Sequence, residues 1–195
     1  MLIVRAQPVL PAQLLELREQ LKAASAAATE LVHGLSREQM RQRPRVKAWS
    51  VAECLVHLNL TSTAYLPILT VAIENAHLDR IYGRGPFRMD YKGRILKWML
   101  EKHGRFKLET SPDFQPVSVE PLEHVLKEFL TLQEYLAESL QRANGIAIDR
   151  LKVTSPFDSR VRYNLFSCFQ ILTAHQRRHL WQASQSRLAI ETPAG

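Results

Sequence analysis

Cysteine is scarce in this chain: there are two, Cys54 and Cys168, among 195 residues. Two thiols cannot build a disulfide framework, which excludes the small stapled secreted folds and fits a reducing compartment. No apolar run approaches the ~18 uninterrupted residues that would cross a bilayer, so neither a membrane span nor a membrane partner is expected. The start, MLIVRAQPVLPAQ, has no basic n-region, and Arg5 breaks its short apolar stretch. A secretory signal is therefore not expected, and a cytoplasmic address is the default. Internal repeats and low-complexity tracts are absent. Two-residue alternation is almost absent as well, which predicts strand content near zero.

What is present has the make-up of a globular protein, with 46% hydrophobic and 23% charged residues. The length suits a single domain over residues 1–195 and is too short for two ordinary domains plus a linker. The formal charge of +7 is unevenly spread. Residues 80–107 hold nine basic side chains against Asp90 and Glu101, residues 37–47 hold five against Glu38, and the remainder is net negative. Phe87, Tyr91, Trp98 and Phe106 lie near the first segment without forming a stacking platform, and no DNA-binding motif is readable. Solvated loop charge is the simpler reading, so no nucleic-acid partner is expected.

Four long segments carry helical periodicity between Pro/Gly punctuation. In the first, from about Pro11 to His33, Leu14, Leu17, Leu21, Ala24, Ala28, Leu31 and Val32 form one apolar stripe, and Gly34 is a stop signal. Ser36-x-x-Gln39 caps a short turn. The second begins at the capping box Ser50-x-x-Glu53, with Trp49 and Cys54 placed as a hydrophobic staple. It runs to about Leu78, with a kink expected near Pro67. A long connection over 79–117 contains a short helix from Gly93 to His103, with Ile95, Leu96, Met99 and Leu100 as its predicted buried face. The third long helix is predicted from Pro121 to Asn144-Gly145. The fourth is predicted from the N-cap Asn164 to about Arg187. The pattern predicts an all-α fold, a four-helix bundle with a long crossover between its second and third helices.

Three histidines stand out. His175 and His179 are four residues apart on the fourth helix, so both project from one face in the usual helical spacing of a metal chelate. The sequence there is HQRRH; the metalloprotease pattern would place a glutamate where Gln176 stands, so that general base is missing. His57 lies among apolar residues in CLVHLNL on the second helix. Glu53, one turn before His57, reads as a general base or as half of the capping box. Gln182 can hydrogen-bond a ligand or serve as a polar core neighbour, and Tyr65 and Tyr163 remain unplaced. The two cysteines are expected to be free, buried thiols acting as small hydrophobes.

These segments resemble one family. AWSVAECLVHLNLTSTAYL (48–66) is similar to the second-helix signature of the DinB-like (DinB/YfiT) superfamily, with its Trp-Ser start and a histidine eight residues after the tryptophan. AHQRRHLWQA (174–183) resembles the fourth-helix signature, RQRP (41–44) the approach to the second helix, and Ser155-Pro156-Phe157 the loop before the last one. The resemblance implies an up-down-down-up four-helix bundle with a divalent metal held by His57, His175 and His179. Zinc or nickel are the leading candidates, with iron or copper also compatible with imidazole ligation. It further implies a metal-dependent enzyme, first a transferase that uses a metal-activated low-molecular-weight thiol on a small-molecule electrophile. The alternatives are a hydrolase using metal-bound water, with Glu53 as its base, and a non-catalytic binder. A homodimer is common in the resembled family.

Overall fold

The computed structural model of the chain describes residues 9–102, 110–116 and 122–192. The expectations placed on the first eight residues, on His103, Arg105, Phe106 and Lys107, on Pro121 as a helix start and on the last three residues lie outside the described residues.

The described part is mostly helical. Helix α1 (Ala12–Val32) buries Leu14, Leu17, Leu21, Ala24, Ala28 and Leu31, the stripe expected from their spacing, and the chain then turns through Gly34 at φ +76°. Helix α2 (Arg37–Arg41) is the short turn capped reciprocally by Ser36 and Gln39. Helix α3 (Val51–Leu78) starts at a complete capping box: the Ser50 side chain accepts from the Glu53 N–H, and the Glu53 carboxylate accepts from the Ser50 N–H. It continues through Pro67. Pro67 and Thr63, whose carbonyl loses its helical partner there, both face solvent, where water can take that bond.

Helix α4 (Tyr91–Glu101) begins two residues earlier than expected, because Asp90 caps it by accepting from the Gly93 N–H. Its buried residues are Gly93 and Leu100, while Ile95 of the predicted buried face is 41% exposed. Leu96 is partly buried against the core, and with Gly93 and Leu100 it makes the docking face, so of the predicted buried residues it is Ile95 that turns outward. Among the described residues, a 3-10 turn, Pro112–Phe114, stands between α4 and α5 (Leu122–Arg142). Strands β1 (Lys152–Thr154) and β2 (Arg162–Asn164) then form a small antiparallel hairpin around Ser155-Pro156-Phe157, with Val153 opposite Tyr163. At three residues each they are too short for alternation to register in sequence. Helix α6 (Leu165–Glu191), capped by the Asn164 side chain on the Ser167 N–H, runs past Arg187.

Helix α3 packs on α5 and α6, α1 packs on the same two, and α4 lies against α6. One hydrophobic cluster gathers Leu14, Leu17, Tyr65, Leu69, Leu136, Phe169 and Leu172; a second gathers Ala28, Cys54, Leu58, Phe129, Leu180 and Ala183. Both cysteines are free and buried. Helix α3 is long and apolar enough to cross a membrane by length and composition, but half of its apolar window is buried inside the protein, as in a core helix.

Candidate metal centre

Two helices bring three histidines together. His57 sits in the second turn of α3, and His175 and His179 lie one turn apart on one face of α6. Nε2 of His57 is 3.1 Å from Nε2 of His175. One ring nitrogen from each of the three lies within 4.8 Å of the others. The ring centroids are 4.4 Å apart for His57–His179, 4.5 Å for His175–His179 and 5.0 Å for His57–His175. His57 is 1% exposed, and the other two are 8% exposed each.

The proton on His57 is placed by its outer partner. Its Nδ1 lies 2.7 Å from the backbone carbonyl of Phe114. A carbonyl oxygen only accepts, so Nδ1 carries the hydrogen and Nε2 of the neutral ring presents a lone pair. That lone pair points at the His175 ring. Meanwhile Nδ1 of His175 and Nδ1 of His179 are buried without a hydrogen-bond partner, a deficit of about 1–3 kcal/mol for each unsatisfied group. The unpartnered Nδ1 of His175 is not the nitrogen that faces His57, so it is the Nε2 spacing that bears on the fit to a metal. A divalent ion bonded to imidazole at about 2.0–2.1 Å in tetrahedral geometry sets two ligand nitrogens about 3.3 Å apart. The 3.1 Å separation found here fits that donor set.

The electrostatics keep the rings neutral. Burial is the largest cause pushing all three below the ordinary histidine value of 6.5. For His57 the Phe114 carbonyl opposes the shift. For His175 the neighbouring His179 and His57 and the Arg178 guanidinium add to it. For His179, His57 and Arg178 add to it, and Gln182 opposes. Neutral imidazole is the form that ligates a metal, so little proton release accompanies binding at neutral pH. Arg178 also donates to the Met99 and Leu100 carbonyls at 3.4 Å, which ties the C-terminal end of α4 to the edge of the site.

Aromatic rings wall the cluster. Trp49 stacks on His179 at 5.6 Å and leans on His57 at 4.9 Å. It also joins the hydrophobic cluster that contains Cys54, its expected staple partner. Phe157 packs 5.7 Å from His175 and 4.4 Å from Phe114. Sequence reasoning missed Trp49 and Phe114 as parts of the site. The tryptophan had a signal in its place just before the cap of the histidine-bearing helix; Phe114 had none.

The other candidates fall elsewhere. Both carboxylate oxygens of Glu53 are taken: Arg43 Nε lies 3.0 and 2.9 Å from the two, Arg43 also reaches Oε1 through a terminal nitrogen, and the Ser50 N–H donates to Oε2. Burial opposes its ionisation, yet Arg43 and Ser50 together hold its pKa below the ordinary value. The metal-competent cluster comprises the three histidines without Glu53. Tyr65 and Tyr163 meet each other, hydroxyl to hydroxyl at 2.7 Å, fully buried. Tyr65 packs 6.0 Å from Phe157, behind the site wall. Gln176 is 1% exposed, with neither amide atom hydrogen-bonded.

Residues 20–183 match the family model of the DinB superfamily. No curated protein and no solved structure matches the chain.

Proposed function

This chain belongs to the DinB superfamily, and from that premise we propose that it is a metal-dependent enzyme, a thiol S-transferase acting on a small-molecule electrophile, with His57, His175 and His179 as ligands of a divalent ion. The observation that carries the reading is the three buried, neutral imidazoles with ring nitrogens within 4.8 Å of one another. They suit zinc or nickel first and also iron or copper, since imidazole ligation does not separate these ions. An ion in that place supplies Lewis acidity, which lowers the pKa of a thiol or water bound beside it. The residues of the chain do the rest. Three ring ligands would leave further coordination positions of a bound ion open, and Trp49, Phe114 and Phe157 wall the cluster against bulk water. Thiol transfer is favoured over hydrolysis because hydrolysis asks for a carboxylate base, and Glu53 is already engaged by Arg43 and Ser50.

The architecture in this reading is one up-down-down-up four-helix bundle domain over residues 1–195. Hydrogen bonds from side chains to side chains and to backbone carbonyls support it. Asn59 meets Glu128 and Glu74 meets Arg142, so α3 and α5 advance together. Gln20 meets Arg177 and Glu30 meets Arg187, so α1 and α6 advance together. Trp49 meets Ser186 and His57 meets His175, so α3 and α6 run oppositely. A homodimer and a cytoplasmic setting complete the proposal, the latter supported by two free thiols. Protein purified without a histidine tag should carry about one equivalent of metal, absent in His175→Ala. A panel of low-molecular-weight thiols with a reactive electrophile should show metal-dependent turnover, lost in His57→Ala. Absence of stoichiometric metal overturns the reading, and metal without turnover on any thiol leaves a binding protein.

A further inference from the structure

The connection between α3 and α5 looks in sequence like a variable basic loop. Its Pro112–Phe114 turn nevertheless reaches the histidine cluster, directly through a backbone carbonyl and indirectly through a ring. The backbone carbonyl of Phe114 accepts from His57 Nδ1 at 2.7 Å, across 57 residues of chain. The Phe114 ring, 7% exposed, packs on Phe157, which in turn lies on His175. The turn is itself braced: the Phe114 N–H donates to the Ser111 carbonyl at 3.0 Å, and the Gln115 N–H donates to the Pro112 carbonyl at 3.1 Å.

We propose that the Pro112–Phe114 turn is a positioning element of the metal centre, in which the Phe114 carbonyl fixes the tautomer and orientation of His57. The inference rests on the three-histidine reading above. Nδ1 of His57 is the one ring nitrogen of the cluster with a backbone acceptor among the described residues. With the hydrogen held there, the lone pair at Nε2 is kept directed at His175 and His179. Without that acceptor the neutral ring exchanges between its two tautomers, and one of these places a hydrogen where a metal would bind. An outer acceptor on a ligating histidine also raises its basicity, and loss of such a partner typically costs about 10–100-fold in metal affinity.

The primary test needs neither metal nor mutation of the turn. Long-range proton–nitrogen correlation spectra of metal-free, histidine-labelled protein, with His57→Ala to identify the His57 signals, should show the Nδ1–H tautomer. An Nε2–H tautomer overturns the inference. If that tautomer is found but the protein binds no zinc, positioning stands and the metal reading falls. A second measurement uses Pro112→Gly combined with Phe114→Gly, which releases the turn. Circular dichroism should stay unchanged, His57 should become a mixture of tautomers, and the zinc Kd in chelator competition should weaken by about 10–100-fold. An unchanged tautomer and Kd in that variant refute the proposal. Phe114→Ala, which removes the ring and keeps the carbonyl, should retain the tautomer; its loss there would assign the effect to ring packing and equally refute the carbonyl's role.

Discussion

Glu53 is 6% exposed and still ionised, because the Arg43 guanidinium and the Ser50 N–H bind its two oxygens. Its work is to start α3 at the register that places His57 and to tie residues 43–50 to that start. Glutamine can keep the capping box, as Gln39 does at α2, so Glu53→Gln should remove only the half-exposed ion pair with Arg43, lower stability by about 0.5–1 kcal/mol, and leave metal content unchanged. Urea melts and metal analysis of the same preparation check both halves; loss of metal at full stability would return Glu53 to the site. The cysteines make a second case. Burial raises both thiol pKa values far above the ordinary range, with the Glu53 charge adding to the shift at Cys54. The reactive thiolate is thus absent at neutral pH. Neither should react with a chromogenic disulfide in the native protein, and both should react in denaturant.

At the scale of elements, α4 is held by one partly buried acid and one glycine. Asp90 accepts from the Gly93 N–H, the Ser167 hydroxyl and the Asn164 N–H, and pairs with Lys152. It thereby joins α4, the β1–β2 hairpin and α6. Burial raises its pKa, but Lys152 and the two backbone donors outweigh this and hold it below 3.8. A depressed pKa contributes stability that is present above the unfolded value and lost as pH falls through the folded one. Asp90→Asn should thus cost about 1–3 kcal/mol at pH 7 and flatten the loss of stability below about pH 4. Denaturant midpoints taken along a pH series test the sign. Gly93 lies against Ser167 so closely that an added Cβ would overlap the Ser167 side chain. Gly93→Ala should destabilise by about 1–3 kcal/mol, although alanine is the better helix former. A gain in thermal stability would mean that α4 does not dock as described.

For the whole molecule, the metal reading carries a linkage. A ligand that binds only the folded state at a hundred times its Kd adds about 2.7 kcal/mol, and each kcal/mol moves the Tm of a chain of this size by about 2–4 °C. Zinc should accordingly raise Tm by roughly 5–11 °C, chelator should reverse the rise, and His175→Ala should abolish it. Scanning calorimetry with and without zinc decides. The charge of +7 belongs to the same scale. Part of the basic excess in 80–107 is spent on local structure, as Lys97 reaches Gln170 and the Glu101 carboxylate.

Much of this was legible in the linear chain. The stripe from Leu14 to Leu31, the caps at Ser36, Ser50 and Asn164, and the one-turn pairing of His175 with His179 follow from backbone geometry, which repeats every 3.6 residues and so writes itself into spacing. The sequence alone also made His57 a candidate, through its place in an apolar helix. Tertiary structure decided the remainder. It brought His57 within 3.1 Å of His175 across 118 residues, gave the Glu53 carboxylate to Arg43, paired Tyr65 with Tyr163, and laid the Phe114 carbonyl against His57 Nδ1. It also turned Ile95 outward and Gly93 inward. The physical reason is that a local hydrogen-bond period fixes which residues share a face, whereas the partner a face meets depends on how separate elements pack, and spacing along one element carries no record of that.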